Sequence, residues 1–173
     1  MSRVIYALIM VFAAIAQATF FPRIWPLEIQ PDLTLVLLVV WCIHVSTAEG
    51  LTWAFGLGIL LDVLALDPLG TNPLALLPVV LLAAAFRKQV FRNRLLAPIA
   101  LTIVATIVHA IVLLLLRSNA LGDTPLATIA RLVLLQSLLN SILVPPLALF
   151  AGWLSGRSAA SSRARRRAYT VRS

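Results

Sequence analysis

Asp62 is the first residue in this chain to weigh for chemistry. It ends a strip within the segment E-G-L-T-W-A-F-G-L-G-I-L-L-D-V-L-A-L-D-P-L-G, residues 49–70, in which Gly50, Ala54, Gly58 and Asp62 recur at four-residue steps. On a helix those positions share one face, drifting about 40° per step. Small side chains let a neighbouring helix approach closely, and a carboxylate inside an apolar span is costly enough to count as functional until another role is found. The companions that acid–base work requires are missing. The other acids, Glu28, Asp32, Glu49, Asp67 and Asp123, lie towards the ends of apolar stretches, and there is no G-x-S-x-G elbow, H-E-x-x-H pair or phosphate-binding loop. His44 and His109 are far apart and the single cysteine, Cys42, has no partner in the chain, so no metal centre and no disulfide are expected. The sequence therefore points away from an enzyme and towards no cofactor. Asp62, four residues before the turn residues Asp67-Pro68-Leu69-Gly70, is expected to snorkel or to cap.

Further along, His109 falls about two-thirds of the way through an apolar segment, and Gln136, Ser137, Asn140 and Ser141 make a polar stripe at helical spacing ahead of Pro145-Pro146. A histidine of this kind is expected to face the bundle and hydrogen-bond to a neighbouring helix. Amides and hydroxyls so placed link helices, each contact being worth about 0.6–2 kcal/mol. The prolines are expected to kink their helix, and stripe and kink together would also suit a small cavity.

The elements that carry these residues follow from composition. With 61% hydrophobic and 12% charged residues in 173, the chain holds more apolar surface than a soluble fold can hide. It reads as an all-α, polytopic membrane protein with six spans, at about Val4–Phe21, Asp32–Ala48, Glu49–Leu66, Pro73–Phe86, Leu95–Leu116 and, in a longer apolar region from Leu126 to Leu154, a last span preceded by an interfacial helix up to Arg131. Ala16-Gln17-Ala18 mimics a signal-peptidase site, but the first segment is read as a retained helix because the rest of the chain is itself apolar. Residues 22–31, with Trp25 and three prolines, read as an interfacial loop. The 49–70 segment is expected to be the central packing helix. Residues 1–156 form the transmembrane domain, and 157–173 a basic, disordered tail.

The net charge of +8 does not imply nucleic acid, because the arginines cluster beside apolar segments. With six crossings and a cytoplasmic N terminus, Arg3, the loop residues Arg87, Lys88, Arg92 and Arg94, and the tail residues Arg157, Arg163, Arg165, Arg166, Arg167 and Arg172 all fall inside. Arg23, Arg117 and Arg131 are left outside. Both termini are thus expected in the cytoplasm. The loop and tail arginines would also meet anionic lipid headgroups at about 1 kcal/mol per residue near the surface.

Pro31-Asp32-Leu33, Glu49-Gly50, the run F-G-L-G-I-L-L-D at 55–62 and Pro68-Leu69-Gly70 together resemble the rod shape-determining MreD family. The specific part of the resemblance lies between Pro31 and Pro73, and the later segments match in hydropathy. The resemblance implies a multi-pass protein of the bacterial inner membrane, with a fold like the substrate-binding component of energy-coupling-factor transporters and without catalytic residues. It implies pairing with the bitopic protein MreC, and through it links to MreB filaments, RodZ, the glycosyltransferase RodA and its class B penicillin-binding protein. It assigns Pro31, Asp32, Glu49, Gly50, Gly56, Gly58, Asp62 and Gly70, with Ala54 of the same strip, to helix packing and partner docking. The rival reading is a small-molecule or lipid-binding subunit of a transporter, prompted by the short, Gly- and Pro-interrupted second to fourth spans.

Overall fold

A computed structural model describes residues 2–20, 30–92, 96–117 and 125–170. Among them the chain forms six α-helices and no strand: α1 (Ser2–Thr19), α2 (Leu33–His44), α3 (Thr47–Ala65), α4 (Thr71–Arg92), α5 (Leu96–Leu116) and α6 (Leu126–Thr170). By length and composition α3, α5 and the Leu126–Leu149 part of α6 suffice to cross a membrane, whereas the apolar stretches Val4–Thr19, Leu33–His44 and Thr71–Arg87 are shorter.

The shortest helix sits at the centre. α2 has 12 residues, every one from Thr34 to Ile43 is buried, and it packs against each of the other helices. A helix apolar on all sides is enclosed by protein or by lipid, and the burial of α2 shows that its surroundings are protein. The remaining five close around it in the order α1, α3, α4, α5, α6, with the thinnest seam between α6 and α1. Tyr6 of α1 holds the axle from one side, stacking on Trp41 at 4.3 Å and donating its hydroxyl to the Leu37 carbonyl at 3.3 Å.

Helices consecutive in the chain alternate in direction, and polar contacts fix which ends meet. Gln17 near the end of α1 bonds Asp32 at the start of α2. Arg87 of α4 donates from Nη2 to the Cys42 carbonyl in the last turn of α2, at 3.1 Å. Arg117, just past α5, pairs with Asp67, just past α3. The ring turns large apolar side chains outward, including Leu8 and Phe12 of α1, Phe55, Ile59 and Val63 of α3, and Leu138 and Ile142 of α6.

Several sequence expectations change. The central helix is α2, not α3, which has one buried and one exposed face. In a membrane both faces of a helix are apolar, so hydropathy cannot tell the axle from the ring. The second helix stops at His44, short of Ala48, because Ser46 caps α3 by accepting from Glu49 N at 3.3 Å. The fourth helix begins at Thr71 and has 22 residues, with Pro78 inside it. α6 is continuous from Leu126, with no break at Arg131, since no glycine or proline interrupts 126–144; it also runs on through Pro145 and Pro146. Beyond Gly156, where a disordered tail was expected, helix continues to Thr170 through a stretch rich in alanine and arginine, both good helix formers. Residues 22–29 of the expected interfacial loop, with Trp25, the polar connection at 122–124, Arg94 and Arg172 lie outside the described residues, and the side chains of Lys88, Arg92, Arg163, Arg165, Arg166 and Arg167 lie outside the described ones.

Candidate functional site

Two buried carboxylates organise the polar interior. Asp32 follows Pro31, which fixes the backbone entering α2, and its Oδ1 accepts from Leu35 N at 2.9 Å as the helix cap. In a bilayer the cap has added weight. Twelve residues rise only about 18 Å, against a hydrocarbon core of about 30 Å, so water does not reach both ends of α2 and the protein must satisfy them.

The same Oδ1 accepts from Gln17 Nε2 at 3.0 Å, while Gln17 Oε1 accepts from Thr34 N and Thr34 Oγ1, both at 3.0 Å. The backbone N–H of Asp32 donates to Asn140 Oδ1 of α6 at 2.8 Å. Asn140, fully buried, turns its amide to Thr106 Oγ1 of α5 at 3.1 Å, and Thr106 donates to the Thr102 carbonyl one turn earlier. His109 completes the cluster with Nδ1 at 3.8 Å from Asp32 Oδ2, and its Nε2 is buried with no hydrogen-bond partner. Residues from α1, α2, α5 and α6 thus meet at the head of the axle.

The second carboxylate, Asp62, is also fully buried, and its partners are local. Its Oδ2 accepts from Gly70 N at 2.6 Å, and its Oδ1 from Asn72 N at 3.0 Å and Asn72 Nδ2 at 2.8 Å. Its own carbonyl accepts from Asp67 N, and Leu66 turns left-handed at φ 57° to close α3. Gly70 at φ 102° admits the turn at a place where most side chains would be strained. Asp62 therefore caps the start of α4 and locks the α3–α4 hairpin.

The small-residue strip leading to Asp62 is occupied from within. A Cβ on Gly58 would lie 2.4 Å from Pro73 N and 2.5 Å from Pro73 Cα, and one on Gly50 would lie 2.9 Å from both Cys42 Sγ and Val80 Cγ1. Ala54, between them, is fully buried. Gly56 differs, being exposed with nothing within 4 Å of where a Cβ would be. Glu49 lies in the first turn of α3 and is partly exposed.

Of the sequence-selected residues, the structure gathers Asp32, His109 and Asn140 into one node, with Ser137 and Ser141 buried and bonding carbonyls along α6. Gln136 is only partly buried. His109 faces the bundle as expected, but 3.8 Å is an ion-pair separation and too long for a hydrogen bond. Gln17, Thr34, Thr102, Thr106 and Asn72 were missed. For Gln17 the signal was a lone amide in an apolar helix, which needs a partner in the bundle. Among the described residues no group of three or more His, Cys, Asp or Glu is placed to hold a metal ion.

A family model described as rod shape-determining protein MreD matches residues 1–152 of the chain. No curated protein and no solved structure matches it.

Proposed function

Since the chain belongs to the rod shape-determining protein MreD family, we propose that it is a non-enzymatic scaffold of the elongation machinery in the bacterial inner membrane, binding MreC and helping to position peptidoglycan synthesis. Membership makes it a membrane protein of cell-shape determination; partner and mechanism are the proposal. In this reading all six helices cross, residues 1–156 are the membrane module, and both termini face the cytoplasm. The alternating helix ends and the arginine distribution support that arrangement.

The observation that carries the docking side of this reading is the contrast within α3. Gly50, Ala54, Gly58 and Asp62 are used up in packing inside the chain, whereas Thr52, Gly56, Ile59 and Val63 face outward and Gly56 leaves open space. A single-pass helix such as that of MreC can approach closely at Thr52 and Gly56, a small-xxx-small pair. MreB, RodZ, RodA and the class B penicillin-binding protein are reached through the same assembly.

Co-purification of MreC from membranes with the Gly56→Leu variant tests this. The variant fills empty space, so it should insert and fold normally yet retain at least about tenfold less MreC, a loss of about 1.4 kcal/mol. Full retention would overturn the assignment of this face. Gly58→Leu does not test this face, because its side chain would meet the Pro73 backbone inside the chain.

A further inference from the structure

We propose that Asp32 and His109 form a proton-binding pair at the head of α2, whose occupancy sets how tightly α5 is clamped to the axle. The inference stands apart from the scaffold reading, because it rests on the polar node alone.

The pair has the makings of such a site. Asp32 Oδ1 is committed to Leu35 N and Gln17 Nε2, but the contact described for Oδ2 is His109 at 3.8 Å. Both side chains are only 9% exposed, and His109 Nε2 is enclosed without a partner. The 3.8 Å gap is about 1 Å longer than a charge-assisted hydrogen bond. One proton taken up from solvent by the ring, with no other bond made or broken, puts a cation opposite a carboxylate and favours closing that gap. The node also holds Gln17 of α1 and Asn140 of α6, so a single proton bears on four helices.

The charged surroundings are sparse. From α1 the facing group is the neutral Gln17, and from α6 the neutral Asn140, Ser137 and Ser141. From α2 it is Asp32 itself. Along α5, Arg117 lies two turns beyond His109 and is paired with Asp67. From α4, Thr71 and Asn72 at the start of the helix are neutral, while Arg87 is engaged at the opposite end of α2. His44, at that opposite end, is exposed and bonds the Val40 carbonyl.

Only two histidines occur in the chain, which makes the test clean. The full chain with His44→Gln, isotope-labelled at histidine and reconstituted in lipid nanodiscs, should give one ring signal that shifts as the pH is lowered. Adding Asp32→Asn keeps a good helix cap and should change that response, because the carboxylate facing the ring is gone. A ring signal that does not respond to pH, or whose response is unchanged by Asp32→Asn, would overturn the proposal. Should Asp32→Asn fail to fold, the thermal unfolding midpoint decides. It should vary with pH in the His44→Gln protein and lose that variation in His44→Gln/His109→Gln; equal pH profiles in the two would overturn the proposal as well.

Discussion

Asp32 and Asp62 are both buried carboxylates that cap a helix, and they differ in how far away their partners lie. Asp62 binds Gly70 and Asn72, within ten residues, so it fixes one hairpin. The Asp32 node draws on Gln17 at a separation of 15 residues and Asn140 at 108, and it fixes how the first and last helices meet the axle. The same chemistry gives a local staple in one place and the joint of the whole bundle in the other. The difference tracks the helix being capped. α4 is one wall of the ring, whereas α2 is enclosed and its capping residue is buried.

The contrast is sharpest in substitutions that remove each carboxylate. Asp32→Ala should cost about 3 kcal/mol or more, because it deletes a cap and strands the partly buried Gln17 amide and the buried Leu35 N–H. Unfolding in detergent would measure the loss, with hydrogen exchange rising in α1, α2 and α6 together. Asp62→Ala should cost about 2–3 kcal/mol by the same reasoning, but with faster exchange confined to residues 66–74. If exchange instead spreads to α1 and α6, the distinction between staple and joint fails.

Gly58→Ala probes the seam that the staple secures. Its new Cβ meets the Pro73 backbone, which cannot swing aside, so a loss of about 1–3 kcal/mol in unfolding free energy is expected. Asn140→Leu removes the long-range partner from the joint and should cost about 1–2 kcal/mol. A double-mutant cycle with Gln17→Leu should show coupling, whereas the cycle of Asn140→Leu with Asp62→Ala should be additive. The smallest effect belongs to Arg117→Gln. The Arg117–Asp67 pair is partly exposed, with side chains at 39% and 23%, so it should contribute at most about 1 kcal/mol, weakening further in high salt.

How much of this could be read from the chain follows the same division. The cap at Asp32 was legible because Pro31 precedes it, and the turn at 67–70 because Asp-Pro and glycine announce it. The inward stripe of Ser137, Asn140 and Ser141 was visible from helical spacing. The axle was not, since in a membrane lipid and core reward the same residue types and periodicity fades. The usable signal was length: twelve apolar residues ending in His44 are too few to span a bilayer while facing lipid, so they had to be enclosed. Nor could spacing reveal that Asn140 reaches Asp32, because a long-range bond leaves no mark on local pattern. Attention to Asp62 over Asp32 came from the regularity of the strip beside it, and that regularity reports helix packing.

The brevity of α2 also bears on how the chain is made. A segment of 12 residues, joined to α3 by only Val45 and Ser46, is too short to settle in a bilayer by itself and must enter with α3 as one hairpin. The partner for its capping residue's backbone N–H, Asn140, is synthesised 108 residues later. Until the last helix leaves the ribosome, the head of α2 remains unsealed. The polar interior is thus completed only when the final span docks on a module whose other helices are already made.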